Sequence, residues 1–213
     1  MIISISTMPA GKEYLQYTFK VHNFADFMHL DVCDGEYNST RCFLPEFAKD
    51  INSYSTIPLD CHLMTKNPLS YAKIYADCGV NIITAQIEAF ETEKEVQDFI
   101  NYVKSKSILV GLALEPKTDI KMVLPYLSKL DIVLIMGVKT GKSGQKFQQT
   151  VLSKIEYLAN LKASFGYTYK IEVDGGITDK TASLVKQKGA EIVVSGSYVY
   201  NSNHVKNAIE SLR

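Results

Sequence analysis

The chain has 213 residues, and its 23 Lys and Arg residues balance 23 Asp and Glu residues, so its formal net charge is zero. This balance excludes broad electrostatic attraction to nucleic acid or to an anionic membrane, and we expect neither partner. An apolar content of 46% argues against disorder. Since no apolar run approaches the roughly 18 to 20 residues that span a bilayer, and the first residues do not resemble a signal peptide, we predict a cytoplasmic protein.

Short apolar runs with the length of β-strands alternate along the chain with stretches of helical periodicity. The predicted strands are residues 2–6, 27–32, 59–64, 82–86, 108–114, 132–136, 169–174 and 192–195. The predicted helices are residues 12–22, 45–53, 68–78, 92–105, 119–127, 148–164, 179–188 and 203–212. This alternation predicts a single (β/α)8 TIM barrel that occupies residues 1–213 as one domain. On the pattern alone, an open doubly wound sheet is the alternative.

The second predicted strand carries polar groups on one face only. Side chains alternate along a strand, so His29 and Asp31 share a face opposite to Met28, Leu30 and Val32. The first face is suited to chemistry and the second to packing. The active site of a (β/α)8 barrel lies at the carboxyl ends of its strands, and both polar residues lie near such an end.

Two later strand ends add groups of the same kind. His62 lies near the end of the third predicted strand, and Asp174 ends the seventh. Two imidazoles and two carboxylates suit one divalent ion of zinc, iron, manganese or cobalt better than calcium or magnesium. Each residue taken alone is more commonly structural, and it is their joint placement that predicts a metal site.

Asp31 and Asp174 also meet the needs of a reaction that removes a proton from carbon beside a carbonyl. Such a reaction needs a base, an acid when the proton is returned to the opposite face, and a positive centre near the oxygen that becomes negative. Two carboxylates on different strands, with a metal between them, supply all three.

The loop after the sixth predicted strand contains Gly141, Lys142 and Ser143, which suggests a nucleotide-binding P-loop. Gly137 lies one position too close to Lys142 for that pattern, so we predict no nucleotide cofactor. Backbone N–H groups and a lysine suit a monophosphate better. Glycines at the next two strand ends occupy the usual phosphate position of a barrel; with their neighbours these are Gly175, Gly176, Gly196 and Ser197.

The four cysteines have no Cys-x-x-Cys spacing and are too few to cross-link a chain of this length. We therefore expect reduced thiols in a reducing compartment. Cys33, close to His29 and Asp31, stays open as a thiolate ligand.

These motifs together resemble the ribulose-phosphate 3-epimerases and their hexulose-phosphate relatives, such as allulose-6-phosphate 3-epimerase. The matching segments include HLDVCDG at 29–35, LDCHLM at 59–64, GQKF at 144–147, VDGGI at 173–177 and SGS at 195–197. The resemblance implies that one catalytic metal is held by His29, Asp31, His62 and Asp174. It also implies that Asp31 and Asp174 are the acid/base pair, acting through a cis-enediolate.

The resemblance further implies a ketose phosphate substrate and a homo-oligomer, either a dimer or a hexamer. The expected substrate contacts, which include the loop residues after the sixth strand, are Ser6, His62, Met64, Met136, Gly141, Lys142, Ser143, Gly144, Gly175, Gly176, Gly196 and Ser197.

Several positions depart from the family pattern: Cys33 replaces a methionine, Gln86 replaces a common histidine, and Ile5 replaces a proline. The loop sequences EYNST at 36–40 and TGKSGQ at 140–145 also differ from the usual family sequences. The expected acids and bases are all present, so the departures bear on substrate more than on activity. We predict epimerisation of D-ribulose 5-phosphate to D-xylulose 5-phosphate. D-allulose 6-phosphate to D-fructose 6-phosphate is the alternative within the same chemistry. A non-catalytic sugar-phosphate sensor is a third reading, while a decarboxylase relative would need an Asp-x-Lys-x-x-Asp motif that residues 31–34 do not form.

Overall fold

Eight parallel strands form a closed barrel in the computed structural model, which describes residues 1–42 and 44–213. The strand Ile2–Ser6 pairs with both Ile192–Ser195 and Phe27–Asp34, and this pairing closes the sheet. The closure confirms the predicted (β/α)8 barrel and rules out the open doubly wound sheet. The strands are β1 (Ile2–Ser6), β2 (Phe27–Asp34), β3 (Arg41–Cys42), β4 (Leu59–Met64), β5 (Ile82–Gln86), β6 (Leu109–Leu114), β7 (Ile132–Met136), β8 (Lys170–Asp174) and β9 (Ile192–Ser195).

Helices surround the barrel and begin at the residue types expected for helix starts. The side chain of Asn67 caps the helix after β4 by accepting from the backbone N–H of Ser70, and Pro68 occupies its first turn. The helices are α1 (Tyr14–Val21), α2 (Pro45–Tyr54), α3 (Pro68–Ala76), α4 (Glu93–Ser105), α5 (Leu152–Phe165), α6 (Asp179–Gln187), α7 (Ser197–Tyr200) and α8 (Val205–Glu210). Within residues 1–42 and 44–213, no helix has the length and apolar character needed to cross a membrane.

The predicted helix over residues 119–127 is wrong. Two short 3-10 helices, Ile120–Met122 and Leu124–Lys129, replace it between β6 and β7. Pro125 explains the break, because proline has no N–H to donate and its ring clashes with the carbonyl of the preceding turn. Further 3-10 helices span Met8–Glu13, Ile87–Ala89 and Gln149–Val151.

Two short elements near the barrel mouth are absent from the predictions. β3 pairs antiparallel with the end of β2, with Cys33 opposite Cys42 and Asp34 opposite Arg41. The four-residue α7 follows Gly196 directly. Elements this short carry too few residues to show a hydrophobic period.

Alternation along the strands separates two apolar layers. Met28, Leu30 and Val32 belong to the large core between the barrel and its helices. A smaller cluster lies inside the barrel and consists of Ile82, Ala113, Ile132, Leu134, Met136 and Ile192. The alternation that sends Leu30 outward turns His29 and Asp31 inward, as predicted. The barrel therefore presents polar side chains on its inner face.

Candidate metal centre and substrate site

Four side chains predicted from separate strand ends meet inside the mouth of the barrel. Parallel pairing of β2 with β4 sets Asp31 beside His62, and β8 brings Asp174 to the same level from another part of the barrel. One ligand atom from each of His29, Asp31, His62 and Asp174 lies within 4.8 Å of all the others. The four side chains therefore form a group that could hold a metal ion.

One ring nitrogen of each histidine faces this group without a hydrogen-bond partner. Nε2 of His29 lies 3.6 Å from Oδ1 of Asp31, and Nδ1 of His62 lies 3.9 Å from the same oxygen. Among the described residues, neither nitrogen has a hydrogen-bond partner, and both histidines are fully buried. An unpaired buried polar atom costs about 1–3 kcal/mol. A divalent ion bound at this point would satisfy both nitrogens, so the residues fit a metal.

Asp60 orients His29 from behind. Oδ2 of Asp60 lies 2.7 Å from Nδ1 of His29 and also accepts a hydrogen bond of 2.8 Å from the hydroxyl of Ser4. A carboxylate in this position keeps the proton on Nδ1 and directs Nε2 toward the cluster. We did not predict this role for Asp60. The strand period could have found it, because Asp60 lies two residues before His62 and shares its inward face.

His62 has a different second partner. Its Nε2 lies 3.0 Å from the side-chain amide nitrogen of Gln86, at the end of β5, and both residues are fully buried. The sequence marked Gln86 only as a departure from a family pattern. Through this contact with His62, Gln86 belongs to the surroundings of the metal centre.

Burial and neighbouring charges move the pKa values of the two aspartates in opposite directions. Burial by itself would raise the pKa of Asp31, but His29, His62 and the hydroxyl of Ser6 together hold it below its ordinary value. Burial and the nearby charge of Asp31 raise the pKa of Asp174 to about 7. In the protein without metal, one carboxyl group is therefore ionised while the other holds a proton close to neutral pH.

The two histidines also differ. Burial by itself would lower the pKa of His29, but the carboxylates of Asp60 and Asp31 outweigh it and raise that pKa well above its ordinary value. Burial and the charge of His29 lower the pKa of His62 to about 4. His62 is therefore neutral at pH 7, whereas His29 must release a proton before its Nε2 can bind a metal.

Ser6 is a direct partner of Asp31. Its hydroxyl donates a hydrogen bond of 2.7 Å to Oδ2 of Asp31 and accepts one of 3.1 Å from the backbone N–H of Met8. Ser6 ends β1, whose register sets it beside His29 on β2. The hydroxyl thus fixes one oxygen of Asp31 and leaves the other facing the cluster.

A cavity of about 520 Å³, measured with its opening to solvent, lies above the cluster. Every predicted substrate residue lines it except His62, which is fully buried. The lining residues that we predicted are Ser6, Asp31, Met64, Met136, Gly141, Lys142, Ser143, Gly144, Asp174, Gly175, Gly176, Gly196 and Ser197. The loop residues Lys142, Ser143 and Gly144 are exposed at the rim.

Two glycines allow the loops after β7 and β8 to touch. Gly175 and Gly176 have φ angles of +104° and +69°. A side chain on Gly175 would meet Val138 at 2.4 Å, and one on Gly176 would meet the backbone nitrogen of Phe147 at 2.5 Å. Only glycine fits both the backbone conformation and the space.

Two side chains hold the loop after β7 over the cavity. The side-chain amide of Gln145 donates to the carbonyl oxygens of Lys139 and Lys142, at 2.7 and 2.9 Å. The hydroxyl of Thr40, in the segment between β2 and β3, donates to the carbonyl oxygen of Gly141 at 2.6 Å. Neither residue was predicted. The contact between Thr40 and Gly141 joins loops that are far apart in sequence, so no local sequence pattern predicts it.

All four cysteines are free. Cys33 lies with its sulfur 3.9 Å from that of Met64. Among the described residues, it is not part of a group that could hold a metal. The alternative of a thiolate ligand therefore gains no support.

The sequence matches the model of the ribulose-phosphate 3 epimerase family over residues 2–200. It is 33% identical over 213 residues to the ribulose-phosphate 3-epimerase of Helicobacter pylori strain J99, covering all of this chain and 97% of that protein. It is 34% identical to the enzyme of the same name from Schizosaccharomyces pombe, over 89% of this chain and 81% of that one. Among solved structures, a 3-hexulose-6-phosphate synthase superposes with a TM-score of 0.73 at 16% identity, covering 100% of this chain and 98% of that one, which indicates a shared fold.

Proposed function

The chain belongs to the ribulose-phosphate 3-epimerase family, and from this membership and the cluster at the barrel mouth we propose that it interconverts D-ribulose 5-phosphate and D-xylulose 5-phosphate. The observation that carries the proposal is the group of His29, Asp31, His62 and Asp174, whose ligand atoms lie within 4.8 Å of one another. Reversal of configuration at C3 needs an acid and a base at one point and is favoured by positive charge near the oxygen that becomes negative; with a metal bound, this group would supply all three.

The two aspartates exchange protons with the two faces of C3. Asp31, whose pKa is lowered, is the group suited to take the C3 proton, and the electron pair of that bond moves into the C2 carbonyl to give a cis-enediolate. Asp174, whose pKa is about 7, is suited to return a proton to the opposite face. One proton is taken and one is given, so the forward reaction leaves the pair ready for the reverse one.

Four atoms would hold the divalent ion: Nε2 of His29, Nδ1 of His62 and one carboxylate oxygen from each of Asp31 and Asp174. When bound, the ion would supply positive charge that favours the negative oxygens of the enediolate. Asp60 would keep the His29 ring turned toward the cluster. Ser6 would keep the carboxylate of Asp31 from rotating out of reach.

The rest of the cavity suits the remainder of a sugar phosphate. Met64 and Met136 give the wall beside the aspartates an apolar, polarizable surface. The phosphate would lie among the backbone N–H groups of Gly175, Gly176, Gly196 and Ser197, with Lys142 adding a positive charge from the rim.

A hexulose 6-phosphate is the second candidate substrate. Residues 36–40, between β2 and β3, and the loop after β7 depart from the family pattern. The hydrogen bond from Thr40 to Gly141 joins them, and Gly141 lines the cavity. Their positions determine how much room lies between the aspartates and the phosphate loops. D-allulose 6-phosphate, with one more carbon, would need that room.

Turnover of the two sugars in parallel tests both candidates. The purified protein is stripped of metal with a chelator, assayed, and assayed again after zinc, manganese, iron(II) or cobalt is restored. Metal-dependent activity with a higher kcat/KM on ribulose 5-phosphate supports the first proposal, and a higher value on allulose 6-phosphate supports the second. Full activity after complete removal of metal would reject the metal-dependent mechanism, and a metal-loaded protein inactive on both sugars would reject both substrates.

A further inference from the structure

Gln86 and His62 meet inside the barrel, each with one side-chain atom left unpaired. The amide nitrogen of Gln86 lies 3.0 Å from Nε2 of His62. In the part of the chain that the structure describes, neither Oε1 of Gln86 nor Nδ1 of His62 has a hydrogen-bond partner. Both residues are 0% exposed, so bulk solvent does not contact these atoms.

The contact determines which nitrogen of His62 carries the ring proton. An amide N–H can only donate, so Nε2 must accept and have no proton. A neutral imidazole carries a single ring proton, and with Nε2 accepting from the amide that proton lies on Nδ1. Nδ1 faces Oδ1 of Asp31 at 3.9 Å, where a carboxylate favours an N–H. A protonated Nδ1 has no lone pair for a metal ion.

Metal binding therefore requires the opposite tautomer. With Nδ1 as the ligand, the ring proton must lie on Nε2, which then needs an acceptor within the same buried space. Oε1 of Gln86 is the unpaired acceptor attached to the carboxamide already in contact with Nε2. Half a turn about the terminal bond of Gln86 exchanges its NH2 group for this oxygen.

We propose that Gln86 is a positioning residue that sets the tautomer of His62, and that its carboxamide turns over when a metal binds. Without metal, the NH2 group of Gln86 donates to Nε2 and the ring proton lies on Nδ1. With metal, Oε1 accepts from Nε2–H and Nδ1 is free as a ligand. The imidazole keeps one proton throughout, and only its position changes. Glutamine suits this role because one small group carries both a donor and an acceptor.

The inference rests on the proposed metal site, and zinc alone serves as the probe. Ring nitrogens of ¹⁵N-labelled histidine report the tautomer in two-bond proton–nitrogen spectra. The chain has 4 His residues, so the His62 signals are assigned by their absence in His62→Asn. We expect Nδ1–H in the metal-free protein and Nε2–H in the zinc-saturated protein.

Two variants of Gln86 separate its hydrogen bond from its bulk. Gln86→Met keeps the length of the side chain without a donor or acceptor, and we expect mixed tautomers without metal and zinc affinity weaker by about 10- to 100-fold. Gln86→Glu offers a carboxylate acceptor, and we expect Nε2–H even before zinc is added. Thr84→Val is the matched control, because Thr84 is equally buried on the same strand and its hydroxyl has no partner among the described residues. In Thr84→Val, the His62 tautomer and the zinc affinity should match those of the unaltered protein.

The outcomes are distinguishable. The same His62 tautomer with and without zinc, or a Gln86→Met variant with unaltered spectra and affinity, would overturn the role of Gln86 and leave the metal site standing. Failure of the unaltered protein to bind zinc through His62 would overturn the metal site itself. Thermal melting of each variant confirms that weakened binding does not come from unfolding.

Discussion

Asp31 and Asp174 bring carboxylate oxygens within 4.8 Å of each other, yet their pKa values are shifted in opposite directions. The difference arises from their partners: Asp31 lies beside His29, His62 and the hydroxyl of Ser6, whereas Asp174 lies against the charge of Asp31. Asp31 is therefore ionised near neutral pH, whereas Asp174 can hold a proton there. This is the property that an acid/base pair on two faces of one carbon needs.

Asp174→Asn should abolish epimerisation but leave proton exchange at C3 on the face that Asp31 serves. We expect kcat to fall by about 100- to 10,000-fold, because an amide neither takes nor gives the C3 proton. Asp31 would still remove and return the proton on its own face. In D2O, NMR should therefore show deuterium entering C3 of one of the two sugars without formation of the other.

Asp98→Asn, on the exposed face of α4, is the control and should behave as the unaltered protein. Equal loss of exchange and epimerisation, with zinc still bound to the Asp174 variant, would mean that Asp174 does not act separately in proton transfer.

Metal affinity should rise with pH. A metal ion needs an ionised Asp174 and a neutral His29, and both groups hold protons in the metal-free protein, Asp174 up to about pH 7 and His29 to higher pH. Below pH 7, zinc must displace about two protons, so the logarithm of the apparent Kd should fall by about two per pH unit; above pH 7 the slope should become smaller, because Asp174 is then already ionised.

Competition with a chromophoric chelator between about pH 5.5 and 8.5 measures these slopes. In Asp174→Asn the slope below pH 7 should be smaller by about one than in the unaltered protein, since the amide binds no proton. A flat dependence in the unaltered protein would contradict the protonation states given to the cluster.

Lys142→Ala should weaken substrate binding more than catalysis. The lysine is exposed at the rim of the cavity, where its charge can attract a phosphate but lies outside the metal cluster. We expect KM to rise by about 3- to 10-fold with little change in kcat. Lys20→Ala, at an exposed position of α1, controls for the loss of one surface charge. A fall in kcat alone would place Lys142 in the chemistry instead.

Gly176→Ala should destabilise the barrel through a clash, and Gly166→Ala isolates the cost of the backbone conformation. Both glycines have φ angles near +70°, at +69° and +68°. A Cβ on Gly166 meets nothing within 4 Å, whereas one on Gly176 lies 2.5 Å from the backbone nitrogen of Phe147. We expect Gly166→Ala to lower Tm by roughly 2 to 8 °C, and Gly176→Ala to lower it by about twice as much or more and to raise KM. Equal losses would show that the loops adjust freely.

Much of the fold follows from local sequence. The apolar runs predicted all eight barrel strands to within two residues at each end, because a buried strand is a short, nearly continuous signal. The predicted helix over 119–127 failed because Pro125 outweighed the periodicity, and β3 and α7 are too short to have one.

The sequence by itself determined which residues point inward at the strand ends, since alternation and barrel geometry place His29, Asp31 and Asp174 there. Only the tertiary structure decided what those residues touch. The contacts of Asp60 with His29 and of Gln86 with His62 depend on the register and packing of neighbouring strands. The opposite pKa shifts of Asp31 and Asp174 depend on burial and on distances across the barrel. The chemical type of each side chain can be read directly from the sequence. Electrostatic interactions and hydrogen bonds arise between residues that the chain brings together only on folding.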